Sequence, residues 1–100
     1  MDDNQDHFNI LRKLDPKRKA SSQRALAEEL GFSLGKLNYC LKALQNKGLV
    51  KINSFKNNPN KINYVYVLTP KGIAAKTKLT INFMKRKMKE YDELKEELDR

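Results

Sequence analysis

Gln23-Arg24-Ala25-Leu26-Ala27-Glu28-Glu29-Leu30-Gly31-Phe32-Ser33-Leu34-Gly35-Lys36-Leu37-Asn38-Tyr39-Cys40-Leu41-Lys42 is the stretch that decides the architecture. Leu26, Ala27 and Leu30 recur at helical spacing, and Ser22 just before them offers an oxygen to the amides exposed at a helix start. Gly31 follows the last periodic residue, where the chain needs a left-handed backbone that glycine adopts without steric cost. Ser33 is a second cap, and Leu37, Cys40, Leu41 and Leu44 mark the buried face of a helix over 34–46. Lys47-Gly48 closes that helix with a cation near its C-terminal dipole and then a stop. Ala27 is small where the later helix must cross the earlier one. Spacing, small residue, turn residue and core positions all agree on two helices joined by a tight turn.

Upstream, Phe8, Ile10, Leu11 and Leu14 give a first helix over 6–14, ended by Asp15-Pro16. Pro16-Lys17-Arg18-Lys19 reads as a polar basic linker. Downstream, 49–55 and 62–68 are rich in β-branched and aromatic residues and read as two strands. The polar run Lys56-Asn57-Asn58-Pro59-Asn60-Lys61 between them has turn chemistry, so the pair is a β-hairpin with a basic tip. Thr69-Pro70 then caps a last helix, with no breaker from Ile73 to the end. Thr77, Ile81, Met84, Met88, Tyr91, Lys95 and Leu98 follow one another in alternating steps of four and three, a heptad rhythm with imperfect members. Roughly 27 residues at 1.5 Å each span about 40 Å, too long for a small domain to cover. The expected fold class is mainly α with a small β-hairpin, with one domain over 6–70 and a long C-terminal helix over 71–100.

Composition bounds the function. One hundred residues form a single domain, with little room for an enclosed substrate pocket. The net charge is +9, with 33% charged and 39% hydrophobic residues, a globular balance. Charge is unevenly placed: residues 1–16 carry −2, 17–89 carry +15 and 90–100 carry −4. A basic block of that size attracts a polyanion, and nucleic acid is the foremost one. One cysteine, Cys40, allows no intramolecular disulfide and no multi-cysteine zinc site, and it falls on a buried helix face as a core residue. The one histidine, His7, has no partner visible in the sequence. There is no nucleophile–base pair, glycine-rich phosphate loop or metal-ligand cluster, so neither catalysis nor a cofactor is expected. The acidic start Met1-Asp2-Asp3 lacks the features of a signal peptide, and no apolar run is long enough for a membrane span. A cytoplasmic protein without membrane contact is expected.

The stretch 23–42 has the helix-turn-helix pattern, and with the basic-tipped hairpin behind it the chain resembles a winged helix-turn-helix domain. Tyr64-Val65-Tyr66-Val67-Leu68-Thr69-Pro70-Lys71-Gly72 is similar to the passage from wing to following helix in bacterial regulators of the MarR class. The resemblance covers most of 8–80, and the short form most resembles regulators associated with exopolysaccharide gene clusters. It implies transcription regulation through double-stranded DNA. Larger members have further helices at both ends and a ligand crevice, which one long helix replaces here, so no effector is implied.

A recognition helix fits the major groove, where side chains read base edges. With Leu37, Leu41 and Leu44 inward, helical geometry sets Gly35, Tyr39, Lys42 and Asn46 opposite, flanked by Ser33, Lys36 and Asn38. Asn38 suits adenine, and Lys36 or Lys42 suits guanine or phosphate; Tyr39 can meet a phosphate or a thymine methyl. Gly35 leaves room for close approach. Lys56 and Lys61, with Asn57, Asn58 and Asn60, are expected at phosphates or in the minor groove. Arg18, Lys19, Ser22 and Arg24 lie where the start of a second helix meets the DNA backbone. The last helix is the expected homodimer element, through Ile81, Met84, Met88, Tyr91, Leu94 and Leu98. Its charge, +7 over 71–89 and −4 over 90–100, favours an antiparallel pair. A protein-interaction module using the same scaffold and helix is the alternative.

Overall fold

The computed structural model describes residues 3–15, 21–53 and 61–100. Its elements run α1 (Asp3–Lys13), α2 (Gln23–Leu30), α3 (Leu34–Asn46), β1 (Val50–Ile52), α4 (Ile62–Val65), β2 (Tyr66–Leu68) and α5 (Pro70–Leu98). Mostly helical, with one antiparallel two-stranded ladder, the chain has the expected fold class. It is elongated, 59 × 27 × 25 Å, because α5 runs out beyond the domain that starts it.

The core forms where α1, α2 and α3 meet. Ile10, Leu11, Leu14, Leu26, Ala27, Leu37, Cys40, Leu41 and Leu44 are buried together, joined by Val50 and Ile62. Each fully buried leucine or isoleucine is worth about 1.5–3 kcal/mol of transfer free energy, so this cluster is what holds three short helices in place. The expected caps are present. Ser22 Oγ accepts from the Ala25 amide and Ser33 Oγ from the Lys36 amide, each at 3.0 Å. Gly31 has φ 72°, and the Gly31 and Phe32 amides bond back to the Glu28 and Ala27 carbonyls at 3.1 and 2.8 Å. The turn between α2 and α3 is therefore closed by backbone bonds, and each helix start has a serine cap.

The wing differs from the expectation. The ladder is only three pairs long: Val50 with Leu68, Lys51 with Val67, Ile52 with Tyr66. Residues 62–65 are not strand but one turn of helix. Two bonds explain this. Lys61 bridges Ser22 in antiparallel fashion, and the Ile62 amide donates to the Ser21 carbonyl at 2.7 Å, so the returning chain first pairs with the start of α2. Ile62 inserts into the core there, and a helical turn then re-aims the chain toward β1. Burial of Ile62 overrides the strand propensity of its neighbours. Most of the expected tip and the basic linker, including Phe55, Pro16 and Lys17, lie outside the described residues.

The passage into α5 is tight. Thr69 caps the helix through Gly72 at 2.9 Å while its hydroxyl donates to the Gly48 carbonyl at 2.6 Å. The Thr69 amide donates to the Leu49 carbonyl at 3.1 Å, extending the ladder by one bond. Gly72 is buried against this same turn. Further on, Leu79 packs on the core, and Phe83 meets Phe8 of α1 with ring centroids 5.8 Å apart. Lys76 pairs with Asp15 at 2.7 Å. Beyond Phe83 the helix leaves the domain.

Candidate nucleic-acid interface

The outer face of α3 is built by subtraction. Leu37, Cys40, Leu41 and Leu44 commit one side of the helix to the core, which leaves Gly35, Asn38, Tyr39, Lys42 and Asn46 facing out. Tyr39 is 73% exposed, a large aromatic held in water on a helix whose other face is dry. Ser33 is exposed as well, its oxygen already occupied by the cap.

Two of the residues expected at the interface, Asn38 and the half-buried Lys36, are held by neighbours. Asn38 Oδ1 accepts a hydrogen bond from Gln23 Nε2 at the start of α2. That bond fixes the side-chain amide so that its NH₂ group points away from Gln23. Lys36 behaves differently from Lys42. Its ammonium lies 3.2 Å from Asp6 Oδ2 of α1 and 4.2 Å from the centroid of the Phe32 ring. Lys36 thus ties α3 to α1, while Lys42 is exposed.

A glycine at position 35 is not required by the fold. A Cβ built there meets only Ser33 Oγ, at 3.9 Å. Its backbone is ordinary helix, so the missing side chain leaves open surface at the front of α3.

Arg24 is exposed on α2, and Ser22 is half-buried as cap and bridge partner. Lys61 stands beside Ser22 through that bridge. The structure therefore gathers Ser22, Arg24 and Lys61 near the α2 start, one short helix away from the α3 face. Arg18, Lys19, Lys56, Asn57, Asn58 and Asn60 lie outside the described residues.

Sequence reasoning missed Gln23 as the support of Asn38 and Asp6 as the partner of Lys36. Both contacts are between helices, and no periodicity announces them. It also missed Lys51, an exposed cation on β1. His7 is not partnerless: it is buried, with Nδ1 3.3 Å from Lys47 Nζ. That contact crosses from α1 to the end of α3, and spacing along the chain does not reveal it. Among the described residues no three His, Cys, Asp or Glu side chains are grouped to hold a metal ion. No described helix is long and apolar enough to cross a membrane.

The six residues of the α5 row are all exposed, from Ile81 at 47% to Leu98 at 86%. The front half of α5 is anchored by Leu79, Phe83 and Lys76, whereas Met84, Met88, Tyr91, Leu94 and Leu98 are more than half exposed.

Comparison with known proteins gives a consistent picture. A family model described as winged helix-turn-helix DNA-binding matches residues 18–51. No curated protein sequence matches the chain. A MarR family regulator from Neisseria meningitidis superposes with a TM-score of 0.64 at 20% identity, covering 86% of this chain and 58% of that one. A mutant of Lactococcus lactis ZitR superposes at 0.64 and 25% identity, covering 88% of this chain and 57% of that one. Another structure of Lactococcus lactis ZitR, described as a zinc-responsive MarR family member, gives 0.63 and 22%, covering 94% and 60%. The chain thus spans under two thirds of the length of these three structures. The helix pair over 18–51 thus matches a winged helix-turn-helix DNA-binding model, and with the paired strands behind it the chain has the fold of MarR family transcription regulators.

Proposed function

We propose that the chain is a sequence-specific regulator of transcription that binds double-stranded DNA as a homodimer, without covalent chemistry. Residues 6–70 form the DNA-binding domain and 71–100 the dimerisation helix. α3 enters the major groove, with Asn38, Tyr39, Lys42 and Asn46 toward base edges and phosphates and Gly35 at the closest approach. Ser22, Arg24 and Lys61, with the basic residues on either side of them in sequence, hold the backbone. The observation that carries this reading is the polar outer face of α3, in which Asn38 is oriented by Gln23. An amide held in one orientation can present a donor and an acceptor to one base; a free one averages over many. Two half-sites about 34 Å apart, one turn of DNA, suit a symmetric pair of such helices. The resemblance of residues 64–72 to the wing-to-helix passage of such regulators makes promoters of exopolysaccharide gene clusters the first to try, with the protein acting in the cytoplasm.

A titration of duplex DNA at several salt concentrations, with random and selected sequences, tests it. Specific binding with a steep salt slope is expected, since each neutralised phosphate releases counterions. The exposed row on α5 favours a second reading, a protein-interaction module. Absence of DNA binding at low salt, with salt-insensitive affinity for a protein, would replace the first reading by the second.

A further inference from the structure

Lys36 stands in the opening turn of α3, next to the exposed Gly35, yet it does not face out as Lys42 does. Its side chain is only 29% exposed, because the ammonium is lodged between two groups. Asp6 Oδ2 of α1 lies at 3.2 Å, and the ring of Phe32, the residue before the α3 cap, has its centroid at 4.2 Å. The Asp6 side chain is more enclosed still, at 14%. Two other ion pairs, Lys13 with Glu29 and Lys76 with Asp15, tie α2 and α5 to the far end of α1. The Asp6–Lys36 pair differs from them in what it engages, a cation on the helix assigned to the major groove.

We propose that Asp6 is a built-in competitor of DNA: its carboxylate occupies the place of a phosphate on Lys36 and keeps that lysine out of backbone contacts. Asp6 is thus a positioning residue that lowers sequence-independent affinity. This rests on the reading of α3 as the DNA-contacting helix and adds to it a limit on which of its cations count.

The chemistry is that of one cation and two anions. A carboxylate oxygen and a phosphate oxygen accept the same charge-assisted hydrogen bond from an ammonium. The carboxylate is already in place on α1, so a phosphate has to displace it while approaching a like charge. Phe32 adds to the hold, because the face of its ring attracts the ammonium and draws the side chain in toward the domain. Each lysine that neutralises a phosphate releases counterions and strengthens binding to every sequence alike. In a chain of net charge +9, with +15 over 17–89, that term has many contributors. Removing Lys36 from it weakens adhesion to any duplex and leaves the amide of Asn38, held by Gln23, untouched.

The test uses the full chain and a duplex of random sequence, titrated over a range of salt concentrations. Asp6→Asn keeps the shape of the side chain and removes its charge. It is expected to raise affinity about five- to tenfold near 0.1 M salt and to steepen the dependence of log K on log salt by about 0.9, the share of one added phosphate contact. Adding Lys36→Ala to Asp6→Asn is expected to take that steepening away, and Asp6→Glu, which restores a carboxylate, to behave as the native chain does. A purely structural role for Asp6 would weaken binding on substitution; it would not steepen the slope and then lose the steepening with Lys36. Binding by Asp6→Asn with an unchanged slope overturns the proposal and leaves DNA binding standing. Weaker binding by Asp6→Asn, with its circular dichroism intact, also overturns it and makes Asp6 a support that aims Lys36 at DNA. Absence of binding at low salt by the native chain and every variant removes the DNA reading and this inference together.

Discussion

A Cβ placed on Gly72 would lie 1.9 Å from the carbonyl oxygen of Leu49 and 2.8 Å from its carbonyl carbon. The first turn of α5 therefore rests directly on the backbone that follows α3. The Leu49 oxygen also accepts the Thr69 amide at 3.1 Å, so it cannot swing aside without breaking that bond. Gly72→Ala is expected to destabilise the fold by about 3 kcal/mol, the upper end of overpacking costs. Urea unfolding followed by circular dichroism reads this; a loss under about 0.5 kcal/mol would mean the contact is loose.

Gly35 presents the opposite case. Its glycine has no packing reason, and alanine is better in a helix by about 0.5–1 kcal/mol. Gly35→Ala is expected to leave stability unchanged or raise it by up to about 1 kcal/mol while weakening DNA binding. Thermal unfolding and a DNA titration on the same sample separate the two. Equal DNA affinity would remove Gly35 from the interface.

Lys36 and Lys42 should part company. The Lys36 ammonium is engaged by Asp6 and Phe32, so Lys36→Ala is expected to cost up to about 1 kcal/mol of stability. Lys42→Ala should leave stability alone, weaken binding to all sequences and lower the salt slope by about one. If Lys36→Ala lowers the slope as much as Lys42→Ala, the Asp6 contact gives way to DNA.

Gln23→Ala removes the support of Asn38 without touching the outer face. The expected loss falls on discrimination, about 1–3 kcal/mol between selected and altered sequences, with non-specific affinity little changed. A uniform loss across sequences would assign Gln23 to the backbone instead.

Met84→Glu with Met88→Glu places like charges at the middle of the exposed row on both copies. Monomers are expected by light scattering, with DNA affinity lower by tenfold or more as the two half-sites uncouple. An unchanged mass would move the dimer contact off α5.

The sequence was most legible where one local rule was sufficient. Ser22, Ser33 and Thr69 are caps, Gly31 is left-handed, and the face of Leu37, Cys40, Leu41 and Leu44 is buried, because capping, turn chemistry and periodicity act within a few residues. Residues 62–65 were misread for the complementary reason. Their β-branched and aromatic content says strand, but Ile62 is drawn to a core and a backbone partner some forty residues away in sequence. Asn38 could be listed for the interface from spacing alone, whereas its orientation by Gln23 depends on how two helices cross. Gly72 closes the 64–72 motif; the reason for the glycine is the Leu49 carbonyl, which only the folded chain brings near.

Only Thr69 separates β2 from α5, and it is bonded on both sides, to Gly48 and to Gly72. A joint so short and so fully bonded cannot act as a hinge. The direction in which α5 leaves is then fixed relative to α3, and the molecule works as one arm of a calliper. In a pair joined through α5, the gap between the two reading heads is set by helix length rather than by a flexible tether. Lengthening that helix by seven residues would move the heads apart by about 10 Å, near three base pairs of DNA at 3.4 Å each, and so would change which operator spacing the protein measures.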